Sequence, residues 1–85
     1  DICHQADGTY LVDGTTTIRD INKSMKWDLP TDGPKTLNGL LLEKLESFPE
    51  GSVGLTIDRY YFEILEMKGN LIQSVRAYSK GKGRR

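Results

Sequence analysis

Cys3 and His4 carry the most reactive side-chain atoms of the 85-residue sequence, and they stand side by side near its start. A thiol beside an imidazole is the raw material of a nucleophile and its base, but the base needs a third group to orient it, and the neighbouring residues offer none. One cysteine cannot close a disulfide, and structural zinc wants about four ligands, whereas Cys3 and His4 are the sole cysteine and the sole histidine. The pair therefore reads as part of a frayed terminus. Twelve carboxylates are enough in number to hold a hard cation through oxygen. They do not follow the alternating pattern of a calcium loop, and Asp7 and Asp13 precede Gly8 and Gly14, as turn residues that bond local amides do. The glycines form no phosphate cradle, since neither Gly33-Pro34 nor Gly81 and Gly83 fall between a strand and a helix. These residues suggest no catalytic group, no cofactor-binding residue and no metal ligand.

Aromatic chemistry is the next resource. Trp27, Phe48, Tyr60, Tyr61, Phe62 and Tyr78 read mostly as core. Tyr61, Leu65 and Met67 alternate along one face of a strand, and an uncovered face of that kind would be a docking or self-association patch. The aromatics sit among acids such as Glu63 and Glu66 rather than lysines, which argues against a nucleic-acid surface.

The elements that position these residues follow from periodicity. Thr9-Tyr10-Leu11-Val12 is a short β-prone run between two Asp-Gly turns. Ile18, Ile21 and Met25 recur at helical spacing behind Thr17, an N-cap with Asp20 three residues on. Pro30 bars continuation. Thr36 caps a second helix with an apolar stripe of Leu37, Leu40, Leu41 and Leu45. Gly39 inside this helix costs about 1 kcal/mol against Ala, which suggests that a neighbouring strand backbone passes close to it. Phe48-Pro49-Glu50-Gly51 turns the chain. Val53, Leu55 and Ile57 then share a strand face, and Asp58-Arg59 is a tight turn. Tyr60, Phe62 and Ile64 alternate with the Tyr61 set, so the strand is apolar on both faces and reads as central. Lys68-Gly69-Asn70 is a hairpin turn. Ile72 and Val75 are three apart on the returning strand, which predicts a bulge near Gln73-Ser74. The expected architecture is α+β, with one mainly antiparallel sheet of about four strands, two short helices on it, and the order β-α-α-β-β-β.

Composition sets the scale. A chain this short buries roughly 60–65% of its unfolded surface, enough for one core. Charged residues make up 28% and no apolar run approaches the ~20 residues of a membrane span. The opening Asp1-Ile2-Cys3-His4 lacks the basic and apolar regions of a signal peptide. The formal net charge of +0 is an average. Residues 80–85 carry four of the twelve bases and no acid, so residues 1–79 hold eight bases against twelve acids, a sum of −4. The expected division is a linker or frayed terminus at 1–6, a domain at 7–79 and a basic disordered tail at 80–85.

The order Asp7-Gly8-Thr9-Tyr10-Leu11-Val12-Asp13-Gly14, Leu29-Pro30, Thr36-Leu37-Asn38-Gly39-Leu40, Phe48-Pro49-Glu50-Gly51, Phe62-Glu63-Ile64-Leu65-Glu66 and Ile72-Gln73-Ser74-Val75-Arg76 resembles the CorC/HlyC transporter-associated domain. The resemblance makes Asp13, Gly14, Thr36, Gly39, Pro49 and Gly51 structural family positions. It implies a fold similar to a subdomain of PCMH-type FAD-binding proteins. Flavin adenine dinucleotide enters through that fold likeness alone, and no cofactor is expected. It further implies a non-catalytic module at the cytoplasmic C-terminus of a CBS-domain-containing membrane ion transporter, of the magnesium and cobalt efflux or hemolysin kind. The implied partners are the CBS pair and membrane domain of the same polypeptide, or a second copy of the domain. The rival expectation is a sensor that binds flavin, nucleotide or a divalent cation.

Overall fold

The structure is a computed structural model that describes residues 2–45 and 53–80. The element order is β1 (Ile2–His4), β2 (Tyr10–Asp13), α1 (Ile18–Met25), α2 (Leu37–Lys44), β3 (Val53–Ile57), β4 (Tyr60–Lys68) and β5 (Leu71–Ser79). The five strands form one antiparallel sheet in the order β1-β2-β5-β4-β3. The α+β class and the two helices stand as expected. The sheet has one more strand than expected, because Ile2–His4 is paired to β2 (Ile2 opposite Val12, His4 opposite Tyr10) rather than frayed. Three residues are too few to show alternation in the sequence, and the pairing partner supplies the order.

Both helices begin where a threonine can cap them. The Thr17 hydroxyl accepts from the Asp20 amide at 3.1 Å, and the Thr36 hydroxyl from the Gly39 amide at 3.1 Å. Each satisfies an amide that has no partner inside its helix. From α1, Ile18, Ile21 and Met25 are buried; from α2, Leu37, Leu40 and Leu41. They pack on Val12, Tyr60, Phe62, Ile64, Ile72, Val75 and Ala77 of the sheet, and Leu29 joins them. All the buried sheet residues belong to this one cluster, so the helices cover one face and leave the other open.

The central hairpin β4–β5 departs from regular pairing at two points. Ile64 faces Val75, Glu66 faces Ser74 and Met67 faces Ile72, so Leu65 and Gln73 are each skipped. The Gln73 irregularity is the predicted bulge, and it lets Ile72 and Val75 both be fully buried although three apart. The one at Leu65 was not predicted. It moves Met67 to the core side, where Met67 packs against the buried cluster.

Candidate functional site

Two of the family positions, Asp13 and Gly14, meet the edge of β5 that faces β2. β2 ends where Asp13 faces Ser74, so the backbone groups of Ile72 and Gln73 on that side lack a strand partner. Gly14 and Asn38 replace it. The Gly14 amide donates to the Gln73 carbonyl at 2.9 Å, and the Asn38 amide donates to the Gly14 carbonyl at 2.7 Å. The Ile72 amide donates to Asn38 Oδ1 at 2.8 Å. Glycine is required at position 14 because a Cβ there would overlap the Ile72 carbonyl. The close strand backbone expected at Gly39 is therefore found at Gly14. What approaches Gly39 is the Pro34 side chain, 3.0 Å from where a Cβ would stand. Thr17 and Thr36 form an isolated antiparallel bridge, and the Leu37 amide donates to the Thr16 carbonyl at 2.9 Å, so the two helix starts are tied together. Gly14 and Asn38 thus form a clasp between α2 and β5, with Asp13 paired just before it and Thr36 and Gly39 setting the start of α2 beside it. Pro49 and Gly51 lie outside the described residues.

The open face of the sheet carries the second group. Cys3, Leu11, Arg76 and Glu63 stand in one cross-strand row, and Tyr61 faces Tyr78 in the next. The two tyrosine rings lie 5.2 Å apart, and Arg76 meets Glu63 at 3.4 Å. The Lys80 ammonium sits 5.8 Å from the Tyr61 ring centre. Leu11 is 36% exposed and Leu65 43%, a large apolar side chain on each wall of a hollow of about 410 Å³ that Cys3 and Ser74 also line. The expected trio is corrected in one member. Tyr61 and the bulged Leu65 stand with this face, and Met67 turns to the other. Leu11 and Tyr78 take part instead; strand pairing brings them in, and no spacing along the sequence could have shown it.

A third feature was read in the sequence only as core. At the end of α1, the Asn22 side chain accepts from the Leu29 amide at 2.8 Å and donates to the Leu29 carbonyl at 3.0 Å. The Asp28 amide donates to the fully buried Tyr60 hydroxyl at 2.9 Å. These bonds pin Trp27 onto Tyr60, rings stacked 4.3 Å apart and 20° from parallel. Tyr10 meets Trp27 edge-on at 5.9 Å. The Arg59 guanidinium lies over the Tyr60 ring at 4.9 Å. A cleft of about 480 Å³ opens here, lined by Gly8, Tyr10, Lys26, Trp27, Arg59 and Ser79 among others.

Metal chemistry finds no cluster of three or more His, Cys, Asp or Glu among the described residues. The carboxyl of Asp7 is held by its neighbour Thr9. The Thr9 hydroxyl donates to it at 2.7 Å and the Thr9 amide at 3.1 Å, which holds its pKa below the ordinary 3.8.

The family model of the CorC_HlyC transporter associated domain matches residues 4–80. The chain belongs to this family. The CorC_HlyC domain here is 37% identical over 78 residues to the UPF0053 inner membrane protein YfjD of Escherichia coli K12, covering 92% of this chain and 18% of that protein. It therefore spans about a fifth of that relative's length. A solved structure from Haemophilus influenzae, described as a functionally unknown conserved protein, superposes with a TM-score of 0.86 at 35% identity, covering 93% of this chain and 98% of that one. A CorC_HlyC domain of a Xylella fastidiosa hemolysin, solved in complex with Mg++ and Mn++, shares the fold with a TM-score of 0.80 at 19% identity, covering 94% of this chain and 98% of that one. Among the described residues, no helix is long and apolar enough to cross a membrane.

Proposed function

We propose that this CorC_HlyC domain is a non-catalytic regulatory module of a membrane ion transporter, working at the cytoplasmic face. Its open sheet face docks on the rest of the same polypeptide, a CBS-domain pair or the membrane domain, or on a second copy of itself. The observation that carries the reading is the one-sided sheet. Leu11, Leu65, Tyr61 and Tyr78 stand on the face opposite α1 and α2, which no described helix covers, and exposed apolar groups gathered on one surface mark contact sites. The family supports the transporter context, and the roughly fivefold length of the inner-membrane relative leaves ample chain for the face to meet.

The test is cation flux in the full-length parent protein. Leu11→Glu with Leu65→Glu should alter flux or its regulation, while the same pair leaves the isolated domain's stability within about 0.5 kcal/mol, since both side chains are exposed. Unchanged flux after deletion of residues 7–78 would sink the reading. The Mg++ and Mn++ complex of the Xylella neighbour favours a second reading, a divalent-cation sensor. Calorimetric titration of this domain with Mg²⁺ and Co²⁺ separates the two, because only a sensor releases saturable heat.

A further inference from the structure

We propose that the cleft at the end of α1 binds a nucleotide, with its base against Trp27 and Tyr10 and its phosphates between Lys26 and Arg59. The proposal stands apart from the docking reading, because the cleft opens at the ends of the strands and not on the open face. Four observations carry it. The cleft's size of about 480 Å³ falls within the roughly 300–1,000 Å³ of ligand sites. Among the described residues its lining holds two cationic side chains and no carboxylate, although acids outnumber bases over residues 1–79. Asp28 and Asp58 adjoin it in sequence but do not line it. The Arg59–Asp58 pair, at 3.8 Å between side chains that are both largely exposed, is too weak to hold the guanidinium away from an anion.

The polar groups of the lining are also unspent. The Trp27 indole N–H and the hydroxyls of Tyr10 and Ser79 have no hydrogen-bond partner among the described residues. An aromatic wall with a few converging donors, beside cationic groups, suits a flat heterocycle that carries phosphate. Gly8 leaves open space at the rim, where a Cβ would meet nothing within 4 Å. The walls are fixed in advance by the Asn22–Leu29 and Tyr60–Asp28 hydrogen bonds, so little ordering is needed on binding. Finally, Lys26 sits at φ 55°, a left-handed position that glycine takes more easily. Keeping a lysine there places a positive charge at the cleft against backbone preference.

Trp27 is the only tryptophan of the chain, so its fluorescence reports on the cleft directly. The probes are magnesium-free ATP, adenosine, inorganic tripolyphosphate and vesicles of anionic phospholipid, each added to the 85-residue chain. ATP should quench Trp27 saturably at millimolar concentration or below, and adenosine and tripolyphosphate should each bind more weakly. Lys26→Gln with Arg59→Gln should weaken ATP about tenfold while the thermal midpoint holds. If that variant fails to fold, the wild-type chain decides: ATP affinity must fall as salt rises. Absence of saturable quenching, tripolyphosphate binding as tightly as ATP, a salt-independent affinity, or a response to the vesicles without one to ATP overturns the proposal.

Discussion

Gly14 and Gly39 look alike in the sequence and differ in what surrounds them. At Gly14 a methyl group would overlap a main-chain carbonyl that cannot move without breaking β5. Gly14→Ala should cost about 3 kcal/mol, the upper end for forced overpacking. At Gly39 the neighbour is the Pro34 ring at 3.0 Å, and a shift of a few tenths of an ångström relieves it. Replacing a helical glycine returns about 1 kcal/mol of backbone preference. Gly39→Ala should therefore lie within about 1 kcal/mol of wild type, and urea unfolding of the two variants in parallel measures the contrast. Asp7 supplies a pH effect. Its folded pKa is depressed by the Thr9 hydroxyl and amide, so its contribution is present above the ordinary 3.8 and is lost as pH falls through the lower folded value. Asp7→Asn should flatten the fall of thermal midpoint in that acid window by slightly lowering the neutral plateau, where the carboxylate contributes, and by converging with wild type in acid.

At the scale of elements, the clasp between α2 and β5 depends on one side chain. Asn38→Ala removes the acceptor of the half-buried Ile72 amide and should cost about 1–3 kcal/mol. In hydrogen exchange, the loss should appear first as faster exchange at Ile72. The caps of both helices were legible in the sequence because a threonine N-cap acts within four residues. The Gln73 bulge was legible because Ile72 and Val75 break the period of two. Leu65 left no such trace, since Tyr61, Leu65 and Met67 keep perfect alternation while the backbone does not. β1 was missed for want of length, and the cleft because aromatic residues at one end of a small domain read as core. What escaped the sequence was in each case set by pairing between distant segments: β1 on β2, Leu11 beside Arg76, Trp27 on Tyr60.

At the scale of the whole molecule, the sheet closes its amino-terminal edge with three residues. Deleting residues 1–5 would strip β2 of its outer partner and uncover part of the core beside Ile2. The expected result is a loss of about 1–2 kcal/mol, and in a chain of this size each kcal/mol lowers the thermal midpoint by roughly 4–8 °C. An exposed β2 edge should also make self-association concentration-dependent, which light scattering would register. The two skipped residues of the central hairpin bear on how such a domain can change over generations. Leu65 in one strand and Gln73 in its neighbour offset each other, and beyond them the inward and outward positions fall back into step. Each is an extra residue that the pairing passes over, so losing either alone restores strict alternation and leaves Ile64, Met67, Ile72 and Val75 on the core side. A hairpin shorter by one residue is therefore reachable by a single deletion at either point, so length variation in this family should be sought at these two positions as well as at the hairpin tip.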